Sequence, residues 1–271
     1  MNILDKIVAH KRVEVEQQKS LYPISLLEQS IFFDTPCVSM RKYLLRENMF
    51  GIIAEIKRKS PSQGDINPYI SVEKISIGYM QAGASALSIL TDKEFFGGSL
   101  EDLATGRQMN FCPILRKDFI IDEYQIVEAK SYGADVILLI AACLEPQRLK
   151  ELASFAHSLG LEVLMEVHDR DELDRSLNEH LDLVGVNNRN LKDFSVNIQT
   201  SLDLAQMIPA NFVKVAESGL RDPKEVVKLR QVGYRGFLMG QHFMEQAQPH
   251  KACARFIDSL KMELKELKTN V

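Results

Sequence analysis

The feature that most constrains this chain is a coarse repeat of eight short apolar runs rich in Val, Ile and Leu. They lie at Ile52–Ile56, Ala86–Leu90, Cys112–Leu115, Val136–Ile140, Leu161–Val167, Leu183–Val186, Val213–Ala216 and Gly236–Met239. Each has the length of a buried strand. Charged stretches with helical periodicity separate the runs, and another follows the last. Strands that are apolar throughout, alternating with amphipathic helices, predict a parallel sheet covered by helices. Gly83, Asn110, Gly133, Gly160, Asn211 and Gly233 fall just before a run, where a left-handed residue would end the preceding helix. A strand–loop–helix–loop unit of about 25 residues repeated eight times predicts a closed (β/α)₈ barrel over residues 49–271. An open doubly wound sheet is the alternative, disfavoured because no glycine-rich first turn follows the first run.

Residues 1–48 precede the repeat. Ile3, Leu4, Ile7, Val8 and Val15 share one helical stripe, and Val38, Met40, Leu44 and Leu45 after Pro36 suggest a second, short helix. The expectation is an N-terminal helical extension that plugs or lids one barrel end, with contact to the active-site mouth left open. Within the 271 residues, 33 basic and 37 acidic side chains give a net charge of −4. Nucleic acid is therefore not an expected partner, and an anionic ligand must be met by locally placed cations. Cys37, Cys112, Cys143 and Cys253 form no CxxC and no cluster with His, which fits a reducing cytosol better than disulfides or structural zinc. The longest apolar run, Val136–Leu144, is about half of a membrane-spanning helix, and Met1–Ser20 does not read as a signal peptide. A cytoplasmic protein without membrane partners is expected. Nothing in the pattern speaks to oligomeric state.

Barrel enzymes carry their chemistry where strands end, on loops that vary without disturbing the closed sheet. The first run leads into Glu55, Lys57, Lys59 and Ser60, the third into Arg116, Lys117 and Asp118, and the fifth into Glu166 and His168. The sixth ends in Asn187, Asn188 and Arg189, the seventh in Glu217, Ser218 and Gly219, and the eighth in Gly240 and Gln241. So much charge in a mere core would be costly. Strand alternation places Glu55, Lys57 and Lys59 on one face, with Leu115 and Lys117 sharing a second and Leu164, Glu166 and His168 a third. A Glu and a Lys roughly 4 Å apart in the mouth would attract by about 4 kcal/mol at an effective dielectric near 20, keeping both charged for proton transfer. Ser218-Gly219 and Gly240-Gln241 leave backbone N–H groups accessible after the last two strands, a common phosphate site in barrels. Lys59 can add a point charge there, so a phosphate monoester is the expected ligand. His168, where the next helix begins, is expected to be solvated or capping, and the other histidines to lie on the surface.

With these residues in view, the chain resembles the indole-3-glycerol-phosphate synthase family. The resemblance rests on FGIIAEIKRKSPSQG (Phe50–Gly64), ALSILTD (Ala86–Asp92) with FFGGS (Phe95–Ser99), LRKDF (Leu115–Phe119), ADVILLI (Ala134–Ile140), LMEVHD (Leu164–Asp169), GVNNRNL (Gly185–Leu191), VAESG (Val215–Gly219) and FLMG (Phe237–Gly240), with ILDKIVAHKR in the extension. It implies a (β/α)₈ barrel with an N-terminal helical extension. It also implies ring closure, decarboxylation and dehydration of 1-(2-carboxyphenylamino)-1-deoxyribulose 5-phosphate to indole-3-glycerol phosphate in tryptophan biosynthesis, with no cofactor and no metal. On the same resemblance, Glu55, Lys57, Lys117, Glu166, Asn187 and Ser218 fall on catalytic positions. Lys59, Gly219, Gly240 and Gln241 fall on the phosphate cradle, and Phe96, Phe119, Leu138, Arg189 and Met239 line the substrate site. Which lysine serves which step stays open. The family commonly has Ser where this chain has Asn188 and Gln241. A phosphoribosylanthranilate isomerase is the rival enzyme, but that reaction involves no decarboxylation and would not call for so many lysines. A silent scaffold barrel is the rival from another class, and it would be expected to have lost Lys117 or Glu166.

Overall fold

The computed structural model describes residues 3–190 and 193–269, with side chains through residue 266; Leu191 of the GVNNRNL motif lies outside them. Eight parallel strands close into a barrel: β1 (Ile52–Ile56), β4 (Ala86–Leu90), β5 (Ile114–Lys117), β6 (Val136–Ile140), β7 (Glu162–Val167), β8 (Leu183–Asn187), β9 (Val213–Glu217) and β10 (Gly236–Met239), with β1 pairing both β4 and β10. Between β1 and β4, two two-residue strands, β2 (Lys59–Ser60) and β3 (Gly64–Asp65), form a small antiparallel hairpin in the first loop. Helices α4 (Val72–Gln81), α5 (Leu100–Met109), α6 (Glu123–Ser131), α7 (Pro146–Ser158), α8 (Arg170–Ser176), α9 (Gln199–Leu204), α10 (Pro223–Gln231) and α12 (Pro249–Thr269) surround the barrel, with a four-residue α11 (Gln241–Met244) before the last.

Alternation sorts each strand. Ile52, Ala54 and Ile56 face the helices, while Ile53 joins Ala86, Leu115, Val136, Leu138, Leu164, Leu183, Val213, Val215 and Leu238 in the barrel interior. The strand ends depart from the apolar runs by a residue or two. β5 starts after Pro113, which has no N–H for the ladder, and β8 and β9 extend to the polar Asn187 and Glu217. Gly83, Gly133, Gly160 and Gly233 are left-handed as expected, but the two asparagines are not. Asn110 is extended (φ −141°) and closes α5 with its side chain, Nδ2 donating to the Gly106 carbonyl at 2.9 Å. An amide that bonds the last turn makes the left-handed backbone unnecessary.

The extension serves both barrel ends. α3 (Met40–Leu44), capped by Ser39, inserts Met40 and Leu44 into the barrel interior, while Leu45 stays about half exposed. α2 (Ile24–Leu27) packs on α6. α1 (Ile3–Leu21) crosses the opposite rim, where Ile3, Leu4 and Ile7 line the mouth. Its fastening is Lys11, fully buried, with Nζ 2.9 Å from Glu14, 2.9 Å from Asp92 and 3.1 Å from Asp118. Burial opposes charge on Lys11, but Asp118, Asp92 and Glu14 outweigh it and raise its pKa. A buried lysine among carboxylates on other elements leaves no periodic signal in the sequence. Among the described residues, no helix is long and apolar enough to cross a membrane.

Candidate active site

A cavity of about 460 Å³ opens at the C-terminal ends of the strands. Of the fifteen sequence-nominated site residues, fourteen line it: Glu55, Lys57, Phe96, Lys117, Phe119, Leu138, Glu166, Asn187, Arg189, Ser218, Gly219, Met239, Gly240 and Gln241. Lys59 does not. β1 ends at Ile56, so the alternation that aims Glu55 and Lys57 inward stops before Lys59, which lies in the hairpin with its N–H donating to the Phe96 carbonyl at 3.3 Å.

Two lysine–carboxylate pairs face each other across the mouth. Lys57 Nζ lies 2.9 Å from Glu55 Oε1. Lys117 Nζ lies 3.0 Å from Glu166 Oε2 and 3.7 Å from Glu217 Oε2. Burial alone would strip the proton from Lys117, but Glu166, Glu217 and Glu55 hold it and raise the pKa. Burial likewise pushes Glu166 up, yet Lys117, His168 and the amide of Asn187, which donates to Oε1 at 3.0 Å, carry it well below the ordinary carboxylate range. Glu217 goes the other way, to about 8, because burial and the charge of Glu166 outweigh Lys117. Two carboxylates that share one ammonium do not both ionise easily. Glu217, which the sequence reading sets at the end of the seventh run without nominating it for the site, also lines the cavity. Its signal is its inward parity with Val213 and Val215.

Glycines make room for these carboxylates. A Cβ on Gly240 would overlap Glu55 Oε1, and one on Gly185 would overlap Glu217 Oε1. Gly240, nominated for a phosphate cradle, thus also seats Glu55. Ser218 and Gly219 are both left-handed, at φ 65° and 78°, and such a conformation costs a non-glycine residue on the order of 1–2 kcal/mol. Asn188 fixes this turn: its buried amide donates to the Glu217 and Ser218 carbonyls at 3.0 and 3.2 Å and accepts from Ser201. Gln241 accepts from Arg189 at 3.2 Å and donates to Glu245 at 2.6 Å, and Glu245 pairs with Arg221. Both departures from the family pattern are therefore bracing contacts, Asn188 within the β9 turn and Gln241 between the β8 and β10 loops.

On the opposite sector, Phe96 and Phe119 stand with ring centroids 5.9 Å apart. Asp92 Oδ1 accepts the Phe96 N–H at 3.3 Å and Asp118 Oδ1 the Phe119 N–H at 2.8 Å. These are the aspartates that Lys11 joins, so α1 helps to set the aromatic wall. His168 is neither solvated nor a helix cap. Its side chain is about one-tenth exposed and lies 3.4 Å from Glu166, and Asp169 caps α8 instead. Of the other histidines, expected on the surface, none is buried: His157 is exposed and contacts Asp182 at 2.9 Å, and His242, partly exposed, packs edge-on against Phe256. Among the described residues, no group of three or more His, Cys, Asp or Glu side chains is arranged to hold a metal ion.

Comparison with known proteins follows the same lines. The sequence model for indole-3-glycerol phosphate synthase matches residues 4–256. Proteins named indole-3-glycerol phosphate synthase from Bacteroides thetaiotaomicron and Campylobacter fetus subsp. fetus are 48% and 43% identical. The first alignment covers 96% of this chain and 99% of that protein, the second 92% and 97%. Among solved structures, an N-acetylmannosamine-6-phosphate 2-epimerase from Clostridium perfringens superposes with a TM-score of 0.57 at 14% identity, covering 82% of this chain and 96% of that one. A KGPDC from Streptococcus mutans gives 0.58 at 13%, covering 78% and 97%. At such identities these two show the barrel fold alone.

Proposed function

The chain belongs to the indole-3-glycerol phosphate synthase family, and from that premise we propose how its rim performs the ring closure of 1-(2-carboxyphenylamino)-1-deoxyribulose 5-phosphate. The observation that carries the reading is the pair of Lys–Glu couples in one cavity, Lys57–Glu55 at 2.9 Å and Lys117–Glu166 at 3.0 Å. The phosphate lies over the ends of β9 and β10, at Gly219 and Gly240-Gln241 with Arg189 beside them. The anthranilate ring lies against Phe96, Phe119 and Leu138, with Met239 on the floor. The reacting carbons then sit between the two couples.

The ring carbon bearing the carboxylate attacks the ribulose carbonyl. A C–C bond forms, and Lys117 donates a proton to the carbonyl oxygen. The bond to the carboxylate breaks next, carbon dioxide leaves, and its electron pair restores the aromatic ring. In the dehydration, Lys57 protonates the departing hydroxyl, which leaves as water, and Glu55 or Glu166 takes the proton from the carbon next to nitrogen. Two protons are given and one is recovered, so each turnover consumes one proton. Asn187 fixes Glu166, while Ser218 sits at the phosphate end of the rim. A positioned acid or base of this kind typically contributes about 10²–10⁴-fold.

In this reading residues 1–48 are an extension of a single catalytic barrel at 49–271, and the four free cysteines suit a cytoplasmic enzyme. The test is direct. Mixing the protein with the anilino-deoxyribulose phosphate should produce indole fluorescence and one equivalent of carbon dioxide. Isomerisation of phosphoribosylanthranilate without carbon dioxide release would overturn the assignment.

A further inference from the structure

Beneath the mouth lies a charged side chain that the chemistry above does not use. His168 follows β7 and is enclosed, its side chain about one-tenth exposed. Its Nδ1 lies 3.1 Å from Glu172 Oε2, which also accepts the His168 backbone N–H at 2.8 Å. Its Nε2 lies 3.4 Å from Glu166 Oε1, a charge contact without hydrogen-bond geometry. The same Oε1 accepts from Asn187 of β8, while Oε2 faces Lys117 of β5. Cys143, before α7, feels the same two carboxylates, its thiol pushed up to about 12 by burial and then by Glu166, Glu172 and Asp5 of α1. Glu217 of β9 stands beyond Lys117, one of its carboxyl oxygens without a hydrogen-bond partner among the described residues.

We propose that His168, clamped between Glu166 and Glu172, is a positioning residue that reserves the ionised state for Glu166 and leaves the rim's proton on Glu217. The inference rests on the proposed reaction, in which Glu166 sits beside the acid Lys117 as an available acceptor. The two carboxylates compete for Lys117, and a symmetric pair would share one proton between them. His168 breaks the symmetry because it touches Glu166 and not Glu217. Burial lowers the basicity of His168, but the carboxylates of Glu166 and Glu172 on either side raise it to about 10. It therefore stays cationic through the neutral range. Glu172 orients the ring through Nδ1, so Nε2 has one direction to point.

The test is the pH dependence of turnover in the wild type, His168→Gln and Glu172→Gln, followed by indole fluorescence, with Tm measured alongside. Removing the cation should let Glu166 take up its proton sooner, so the acidic limb of kcat in His168→Gln should move up by about one pH unit. Its kcat should fall by up to about tenfold on that acidic limb alone and match the wild type at neutral pH and above, with KM within about threefold, since His168 does not line the cavity. Glu172→Gln, which weakens the clamp but keeps the ring, should move the limb the same way by a smaller amount. An unmoved limb in either folded variant, or a loss equal at every pH with a lower Tm, would overturn the proposal. If His168→Gln does not fold, the Glu172→Gln profile decides. A wild type that forms no indole would instead defeat the functional reading, a different outcome from an active wild type with variants of unchanged profile.

Discussion

Two lysines meet at the tetrapeptide RKDF, Lys11 of α1 paired with its Asp118 and Lys117 of β5 its own second residue, and their surroundings differ. Lys11 has three carboxylates within 3.1 Å. One of these, Asp118, also takes Arg116 and the hydroxyl of Thr91, and Arg116 takes Glu128 as well. Lys117, on the inward face of its strand, has one close carboxylate and one at 3.7 Å, and it lines the cavity. The first cluster is crowded with partners around a lysine closed to solvent, and it works as a fastener. Each cluster leaves one carboxylate oxygen without a hydrogen bond among the described residues, Asp92 Oδ2 in the first and Glu217 Oε1 in the second, but Lys117 lines the cavity, where it can meet a substrate oxygen, and Lys11 does not. Buried charge alone does not mark a reaction centre; an ammonium that the fold turns into the cavity does.

The contrast can be broken most strongly at Lys117. Lys117→Met should lower kcat by about 10³-fold or more while equilibrium binding of the substrate stays measurable. Near-normal turnover would erase the distinction. Lys11→Met should do the opposite: removing one partner from a buried charge cluster costs about 3–5 kcal/mol, read by denaturant unfolding, with kcat within about threefold. Because Asp92 and Asp118 hold the backbones of Phe96 and Phe119, its KM should also rise.

The pH dependence of stability sharpens the picture at Glu217. Its folded pKa of about 8 exceeds the value near 4.3 of an unfolded glutamate. Between those values the folded state holds the additional proton, so this residue's contribution is complete below about pH 4 and is lost as the pH rises through 8. Glu217→Gln stays neutral throughout, so its Tm relative to wild type should climb from about pH 5 to 8 and level off above. The smallest effect belongs to Gln241→Ala, which cuts an exposed link worth about 0.5–1 kcal/mol. A KM raised about two- to fivefold with kcat unchanged is expected from steady-state kinetics.

The barrel was legible because strand length, helix periodicity and glycine endings all report on local backbone, and eight repeats of one unit leave few closures. The inward set Glu55, Lys57, Lys117 and Glu166 was legible by parity, which holds while a strand lasts. Lys59 shows where that fails, since the strand has ended and the hairpin turns its side chain away from the cavity. Lys11, His168 and Glu217 were obscure for another reason. Their character depends on neighbours from other elements, and a lysine on a helical stripe or a histidine before a helix carries no sign of the carboxylates that will surround it. Asn110 shows the converse, a correct helix end reached by a different bond.

The barrel floor has a consequence for how the chain is made. Leu44 of α3 sits so close beneath Gly236 that a methyl group there would press on it, and Met40 and Leu44 share a cluster with Val213, Val215 and Leu238. At synthesis rates of about 5–20 residues per second, the ribosome makes that stopper roughly 10–40 s before the last strand it must meet. Throughout that interval two leucine-sized apolar groups lack their final socket, which exists only once the ring has shut.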